Sequence, residues 1–209
     1  MNGFWLMVPF LAVRFLLPLA LGREALRRAA RFAPMRGGEK IAYAVYQAAT
    51  LAIFACLGLL TVRWDGAWIS FAGALCYAAG LGLCAAAVVA FCAPDGRGLN
   101  TNGVYRLSRH PMYVGYFVCF AGMALLARSA VLLGVVLIFQ VAAYWMVLAE
   151  ERWCLETFGD DYARYIRSVR RYLQRPLRHL RRRRRQGEWP VFPITENPYS
   201  MRNAARGRR

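Results

Sequence analysis

The sequence predicts an all-α integral membrane protein, a bundle of about five transmembrane helices followed by a C-terminal cytoplasmic amphipathic helix. The first observation is composition, because 58% of the 209 residues are hydrophobic and only 19% are charged. The second is distribution, because the apolar residues form long blocks and the charged residues fall between them. A soluble domain has no need of apolar runs of twenty residues, whereas a hydrocarbon core of about 30 Å requires them.

Five apolar segments are long enough to cross a bilayer as helices. They cover residues 3–22, 41–62, 67–93, 111–128 and 129–149. The first segment has no basic residue before it and no A-x-A cleavage pattern, so we predict a retained helix rather than a signal peptide. Arg14 interrupts it, which is typical of a residue that faces the bundle or snorkels and which makes Arg14 a candidate for function. The last two segments meet at Arg128-Ser129, which predicts a tight helical hairpin.

Basic residues are distributed unevenly between the two sides of this predicted bundle. Of the 28 Lys and Arg residues, 25 fall in residues 23–40, 94–110 and the C-terminal part, whereas the other turns carry only Arg63 and Arg128. Basic loops stay in the cytoplasm. The sequence therefore predicts an external N-terminus, with the 94–110 loop and the C-terminus together on the cytoplasmic side of a cellular membrane (the inner membrane in a bacterium).

The net charge of +17 is concentrated in these loops and in the C-terminal tail. Because the charge accompanies bilayer-length apolar runs, we expect anionic lipids as partners of the tail and no nucleic acid. Residues 181–185 are a block of arginines within a basic tail, residues 176–209, which is predicted to be mobile. The six cysteines form no CxxC pair and no histidine stands at zinc spacing, so neither a disulfide framework nor a metal site is predicted.

A second helix is predicted after the fifth span. Phe158-Gly159 indicates a helix stop, after which Asp160 and Asp161 are available to cap a new helix. In residues 162–173 one face would be apolar and aromatic, and four arginines lie off that face. The apolar positions are Tyr162, Tyr165, Ile166, Val169, Tyr172 and Leu173. This pattern predicts a basic amphipathic helix on an anionic leaflet.

Polar residues that could bind a ligand or take part in a reaction occur in two places. The first is Arg109-His110-Pro111-Met112-Tyr113-Val114-Gly115. Pro111 suits the first position of a helix, and the extended residue before it predicts that His110 points outward at the cap. A helix start presents free N–H groups that hold an anion such as a carboxylate. A proline-capped helix with interfacial His and Tyr fits these residues equally well.

The second place is Glu150-Glu151, near the C-terminal side of an apolar span, where the helix dipole disfavours negative charge. Adjacent helical residues point about 100° apart, so at most one of the two is expected to face a given site. A carboxylate there requires a cation. Arg109 or Arg152 would be the structural answer, and a bound ammonium or sulfonium group would be the functional one.

These motifs together resemble those of the isoprenylcysteine carboxyl methyltransferase and phospholipid methyltransferase superfamily, over roughly residues 90–175. The matching residues, in order, are Asn102-Gly103-Val104-Tyr105, Arg109-His110-Pro111-x-Tyr113-x-Gly115, Glu150-Glu151 and Phe158-Gly159-x-x-Tyr162-x-x-Tyr165. The resemblance divides the chain into N-terminal membrane helices (1–93), a catalytic region (94–175) and the basic tail (176–209).

The resemblance implies an S-adenosylmethionine site without a Rossmann fold, built by the last helices and the cytoplasmic segments. Carried over by position, the cofactor-binding residues are Arg97, Gly98, Leu99, Asn100, Tyr105, His110, Pro111, Met112, Tyr113 and Glu150, with Glu151 as the alternative to Glu150. His110 and Glu150 are the candidate catalytic residues, because an amine acceptor would have to lose a proton to His110, Glu150 or Glu151, whereas a carboxylate acceptor needs no base. Arg109 is a candidate for substrate binding.

One position departs from the family pattern. Eukaryotic prenylcysteine enzymes carry an arginine one turn before the cofactor-binding glutamate, and Met146 stands there in this chain. This departure argues against a prenylcysteine carboxylate as the acceptor, or leaves its recognition to another arginine. The leading expectation is an S-adenosylmethionine-dependent methyltransferase whose lipophilic acceptor enters from the bilayer. The alternatives are a phospholipid N-methyltransferase, an NADPH-dependent sterol-type reductase relative, which would have about twice as many spans, and a non-catalytic membrane protein.

Overall fold

The computed structural model describes residues 1–29, 33–93 and 98–172. Within these ranges the regular elements are helical. The helices are α1 (Gly3–Ala20), α2 (Arg23–Ala29), α3 (Glu39–Leu59), α4 (Trp68–Cys92), α5 (Pro111–Leu126), α6 (Ala130–Phe158) and α7 (Asp160–Ser168). A 3-10 turn, Gly103–Arg106, precedes α5.

Among the helices of the described residues, four are long and apolar enough to cross a membrane, namely α1, α3, α4 and α6. The fifth apolar helix, α5, has 16 residues and is therefore about 24 Å long, which is shorter than a hydrocarbon core of about 30 Å. The predicted all-α membrane bundle is confirmed, and the predicted fourth span is its shortest apolar helix.

Helices α4 and α5 approach each other closely because glycines face the partner backbone. A Cβ atom on Gly80 would lie 2.3 Å from the backbone nitrogen of Cys119, and one on Gly122 would lie 2.4 Å from that of Tyr77. Small residues allow such contacts in lipid, where van der Waals packing rather than the hydrophobic effect drives helix association. Any larger side chain at Gly80 or Gly122 would separate the two helices.

Aromatic contacts join the other spans to this pair. The ring of Phe10 on α1 lies 5.5 Å from that of Tyr116 and 4.9 Å from that of Phe120 on α5. Tyr46 on α3 lies 4.7 Å from Phe139 on α6, and Phe139 lies 5.3 Å from Phe120. The buried core of the bundle is therefore aromatic at its centre.

The turns that carry Arg63 and Arg128 lie together at one end of the bundle, as their predicted common side requires. The backbone N–H of Arg63 donates to the carbonyl of Leu126 over 2.9 Å, and the guanidinium of Arg128 lies 2.6 Å from Asp65. Arg128 has a φ of +49°, and the Ser129 hydroxyl accepts from the N–H of Leu132 to begin α6. The predicted hairpin at Arg128-Ser129 is therefore present.

Helix α6 continues beyond the predicted end of its apolar segment at residue 149 and ends at Phe158. Gly159 follows with a φ of +52°, so the predicted helix stop is confirmed. The prediction that Asp160 or Asp161 caps the next helix is wrong, because Gly159 occupies the cap position and both aspartates lie in the first turn of α7.

Helix α7 is amphipathic, as predicted, but it ends at Ser168 and its apolar face has a different partner. Tyr162, Tyr165 and Val169 are buried against Leu99 in a small core of their own. The face expected to lie on an anionic leaflet therefore covers a loop of the protein itself. Arg97, Leu173 and the basic tail with its 181–185 block lie outside the described residues.

Candidate functional site

The start of α5 is the centre of the candidate site. His110 is the N-cap residue, with φ −129° and ψ 58°, and Pro111 occupies the first helical position as predicted. The prediction that His110 points outward is wrong, because its side chain is only 7% exposed. Its backbone N–H donates to the Ser108 hydroxyl and to the carbonyl of Arg171, which fixes the segment before the helix against the end of the described chain.

His110 lies between the two adjacent glutamates of α6. Its Nδ1 is 3.4 Å from a carboxylate oxygen of Glu150, and its Nε2 is 3.3 Å from Oε1 of Glu151. Burial lowers the pKa of His110, but hydrogen bonds and charge from both carboxylates outweigh it and raise that pKa above its ordinary value. Both glutamates therefore contact His110, because the two nitrogens of one imidazole ring span the angle between adjacent helical residues.

Glu151 is the centre of a buried ion cluster. Its oxygens lie 2.8 Å from the guanidinium of Arg109 and 2.7 Å from that of Arg171, which also donates through Nε over 3.0 Å. The side chains of Glu151 and Arg109 are 9% and 8% exposed. The negative charge of Glu151 is thus neutralised within the protein.

Arg109 also stabilises the end of α7, since its guanidinium donates to the carbonyls of Ile166 and Val169 over 3.0 and 3.2 Å. Its backbone N–H donates to the carbonyl of Arg170 over 3.0 Å. Arg109, the sequence-based candidate for substrate binding, is therefore engaged with α7 and Glu151.

Glu150 has a different environment. The Tyr113 hydroxyl donates to Oε1 of Glu150 over 2.6 Å, and His110 lies beside the other oxygen. The Glu150 side chain is 30% exposed, and among the side chains that the structure describes no Arg or Lys lies within ion-pair distance of its carboxylate. Glu150 is therefore the carboxylate of the pair that remains available to a bound cation.

The segment before the 3-10 turn contributes a second group of predicted site residues. Leu99 packs against α7, and the Asn100 amide donates to the carbonyl of Phe91 over 3.1 Å. Asn100 is 8% exposed, and its Oδ1 is buried without a hydrogen-bond partner in the part of the chain that is described. Gly98 has a φ of +81°, a conformation that favours glycine.

Tyr105 connects this segment to α7. Its carbonyl accepts from the Tyr165 hydroxyl over 2.6 Å. Burial raises the pKa of the Tyr105 phenol well above its ordinary value, and the negative charge of Glu150 adds to that shift. Met112 stands beside Tyr113 on the first turn of α5, where its sulfur lies 3.9 Å from the Tyr116 hydroxyl.

Sequence reasoning missed Arg171 and Ser108. Arg171 was expected on the polar side of a helix over 162–173, but α7 ends before it and the extended chain brings it to Glu151. Ser108 holds the same segment, since its hydroxyl donates to the Arg171 carbonyl over 3.0 Å. Neither contact has a sequence signal, because the residues that pair lie 20 and 63 residues apart along the chain.

The fold and this site define an integral membrane protein with a buried histidine and a partly exposed carboxylate at one end of its helical bundle. The chain belongs to the phospholipid methyltransferase family, whose family model matches residues 56–161. The match includes α4, α5, α6 and the start of α7, and so contains His110, Tyr113 and both glutamates.

A curated relative, the protein-S-isoprenylcysteine O-methyltransferase of Schizosaccharomyces pombe, is 32% identical over 75 residues. These residues are 34% of this chain and 30% of that protein. The similarity therefore concerns about a third of each chain.

Proposed function

We propose that this protein is an S-adenosylmethionine-dependent methyltransferase, similar to the isoprenylcysteine carboxyl methyltransferases, which methylates a lipophilic acceptor from the bilayer. The observation that carries the proposal is Glu150 of α6, a partly exposed carboxylate beside the start of α5 that has no Arg or Lys as an ion-pair partner among the described side chains. Family membership and the name of the fission yeast relative support the same reaction class.

The residues present fit S-adenosylmethionine, which has an ammonium, a sulfonium and a carboxylate group. Glu150 offers a negative charge to a cationic group, and the buried Oδ1 of Asn100 offers an acceptor. The start of α5 has no side-chain cap, so its N–H groups suit a carboxylate. The residues proposed to hold the cofactor are Gly98, Leu99, Asn100, Tyr105, His110, Pro111, Met112, Tyr113 and Glu150. Arg97 belongs to the same proposal by its place in the sequence.

Bound S-adenosylmethionine would supply a methyl group on a positively charged sulfur. The residues of this chain would orient the two reactants in line and exclude water, which are the main requirements of such a displacement. An acceptor carboxylate attacks without a base. His110, buried between two carboxylates, then acts as a positioning residue that fixes Glu150 beside Tyr113.

A phospholipid amine is the second candidate acceptor, and the description of the matching family favours it. An ammonium group must lose a proton before it attacks. Glu150 is the candidate base, because it is partly exposed whereas His110 is buried. Methylation assays with a prenylcysteine acid and with phosphatidylethanolamine would separate the two acceptors.

We also propose that the site faces the cytoplasm. The end of the bundle that carries His110 also carries Arg109, Arg152 and Arg171, and basic residues favour the cytoplasmic side. A reporter fused after Arg175 should read cytoplasmic and one inserted at residues 63–66 should read external. The opposite pattern would contradict cofactor entry from the cytoplasm.

The central test is Glu150→Gln, which keeps the shape of the side chain and removes its charge. A charge-assisted hydrogen bond contributes about 1.5–3 kcal/mol, so S-adenosylmethionine affinity should fall about tenfold to a hundredfold. Calorimetry on the full chain measures it, with NADPH as the competing cofactor class. S-adenosylhomocysteine retains the amino group but lacks the sulfonium charge, so equal weakening of both ligands assigns Glu150 to the amino group.

Glu156→Gln is the matched control, because it makes the same change on the same helix in an exposed pair with Arg36. Its cofactor affinity should equal that of the unmodified protein. Unchanged affinity in Glu150→Gln, or binding of NADPH in place of S-adenosylmethionine, would refute the proposal.

A further inference from the structure

Residues 169–171, which we call the closing segment, follow α7 and lie beside the start of α5. The carbonyl of Arg170 accepts from the backbone N–H of Arg109 over 3.0 Å. The next carbonyl, that of Arg171, accepts from the N–H of His110 over 3.2 Å. These bonds join backbone to backbone, so they do not depend on the side chains at positions 170 and 171. The Arg171 side chain is therefore available for a separate task.

The Arg171 side chain extends to α6 and binds both carboxylate oxygens of Glu151. Its Nε donates to Oε1 over 3.0 Å, and a terminal nitrogen donates to Oε2 over 2.7 Å. The guanidinium carbon also lies 5.6 Å from the centre of the Tyr144 ring. A guanidinium that meets a carboxylate through two parallel N–H bonds fixes the rotation of that carboxylate, which a single bond does not.

Arg109 and Arg171 contribute differently to the Glu151 cluster. Arg109 is the buried counterion, since its side chain is 8% exposed and its guanidinium lies 2.8 Å from Oε1 of Glu151. Oε2 accepts from Arg171 alone among the side chains that the structure describes. Arg171 therefore determines the direction in which the carboxylate plane faces, whereas Arg109 by itself can neutralise its charge.

The orientation of Glu151 is passed on through His110. The Nε2 atom of His110 lies 3.3 Å from Oε1 of Glu151, and its Nδ1 atom lies 3.4 Å from Glu150. The imidazole ring is rigid and only 7% exposed, so a rotation of the Glu151 carboxylate would tilt the ring against Glu150. Arg171 is thus the outer end of a line of four side chains that ends at the available carboxylate.

The closing segment also contacts the second group of residues proposed to hold the cofactor. Val169 packs against Leu99 in the small core beneath α7. Asn100 follows Leu99, and its buried Oδ1 has no hydrogen-bond partner within the described part of the chain. The two groups of proposed cofactor residues, near position 100 and near position 110, are therefore joined through the closing segment.

We propose that Arg171 is a positioning residue of this protein, which aligns Glu150 for the cofactor through Glu151 and His110. This inference rests on the proposed methyltransferase function. Arg171 binds no ligand itself in this arrangement. Loss of its side chain leaves the backbone bonds of the closing segment and the Arg109 counterion in place. The expected consequence is a misaligned Glu150 in a folded protein.

The test is a double-mutant cycle on S-adenosylmethionine binding, measured by calorimetry on the full chain in nanodiscs. Arg171→Gln should weaken binding by about threefold to tenfold, as expected for coupled residues of one hydrogen-bond network. In a Glu150→Gln background the same change should weaken binding by less than about twofold, because the carboxylate that Arg171 aligns has lost its charge. Arg171→Lys should keep part of the affinity, since an ammonium group lacks the bidentate fork.

Arg170→Gln is the matched control, because Arg170 is the exposed neighbour of Arg171 in the closing segment. Its affinity should equal that of the unmodified protein in both backgrounds. Unchanged affinity in Arg171→Gln, or equal weakening with and without Glu150, would overturn the inference. If Arg171→Gln fails to fold, the cycle with Arg171→Lys decides by the same two criteria.

A second measurement separates this inference from the proposed function. If the unmodified protein binds no S-adenosylmethionine, the methyltransferase proposal fails, and nitrogen NMR of the His110 imidazole then tests Arg171 without a ligand. A displaced Nε2 signal in Arg171→Gln but not in Arg170→Gln would support the alignment of His110 by Arg171. An Nε2 signal that is the same in both variants would overturn it.

Discussion

The two sides of His110 differ in how their carboxylates are neutralised. On one side, Glu151 is buried and has two arginines as partners. On the other side, Glu150 is partly exposed and has a tyrosine hydroxyl and the imidazole. Two identical residues, adjacent on one helix, are therefore suited to different tasks. The Glu151 side stabilises the chain segment that closes the site, and the Glu150 side is available to a ligand.

The largest expected effect comes from Glu151→Gln, which leaves the buried guanidinium of Arg109 without its counterion. Breaking a buried ion pair costs about 3–5 kcal/mol in the free energy of unfolding. The melting temperature in detergent should therefore fall sharply, and the 169–171 segment should become accessible to proteases.

Glu156→Gln provides the comparison for this change. Glu156 pairs with Arg36 at the surface, where their side chains are 45% and 61% exposed. Such exposed pairs contribute about 0–1 kcal/mol to the free energy of unfolding. Equal melting temperatures for the two variants would mean that the Glu151 cluster contributes no more than a surface pair.

Tyr113→Phe tests the Glu150 side of the comparison. The change removes the 2.6 Å hydrogen bond to Glu150 and keeps the ring. Because hydrogen bonds to charged groups are worth about 1.5–3 kcal/mol and the carboxylate can find other partners, we expect S-adenosylmethionine affinity to fall by a few-fold to tenfold. Titration calorimetry measures it. Tyr144→Phe, whose hydroxyl has only a 3.5 Å contact with Arg171, should bind normally, and a similar loss there would remove the special role of Tyr113.

A change in pH is expected to have a smaller effect, on the stability of the folded protein. The carboxylates of Glu150 and Glu151 both face His110 and raise its pKa above the usual 6.5, against the opposing effect of burial. Glu151 is itself paired with Arg109. Protonated His110 therefore contributes stability that is fully present below about pH 6.5 and is lost as the pH rises through the higher, folded-state pKa. Melting curves across this range should show the decline in the unmodified protein and not in His110→Gln.

The second histidine of the sequence, His179, serves as the control for that experiment. His179→Gln should retain the decline of stability with pH. A decline that disappears in His179→Gln and persists in His110→Gln would place the titrating group outside the site.

The smallest effect is predicted for removal of residues 181–209. Because these residues lie beyond the family match, cofactor affinity should change by no more than a few-fold. Binding to vesicles with anionic lipid should weaken, since each basic residue near such a surface is worth about 1 kcal/mol. Loss of cofactor binding in the truncated protein would mean that the tail closes the site.

Much of the fold could be predicted from the sequence. The length of an apolar segment is a local property, and it determines whether a helix can span the hydrocarbon core. The helical bundle, the turn at Arg128-Ser129, Pro111 at the start of α5 and the stop at Gly159 were all predicted. The choice of His110, Tyr113 and the glutamate pair as the site remains a prediction about function, but the structure brings these residues into direct contact.

Only the tertiary structure shows which residues pair with Glu150 and Glu151. The sequence shows two adjacent glutamates and many arginines, but it does not show that Arg109 and Arg171 both reach Glu151 while Glu150 meets Tyr113. The sequence also predicts that His110 points outward and that the aromatic face of α7 lies on the membrane. In the structure, the His110 side chain and the aromatic face of α7 are both buried within the protein. These features depend on contacts between segments 20 to 60 residues apart. Such contacts are set by packing and by the need to neutralise buried charge, which no local pattern encodes.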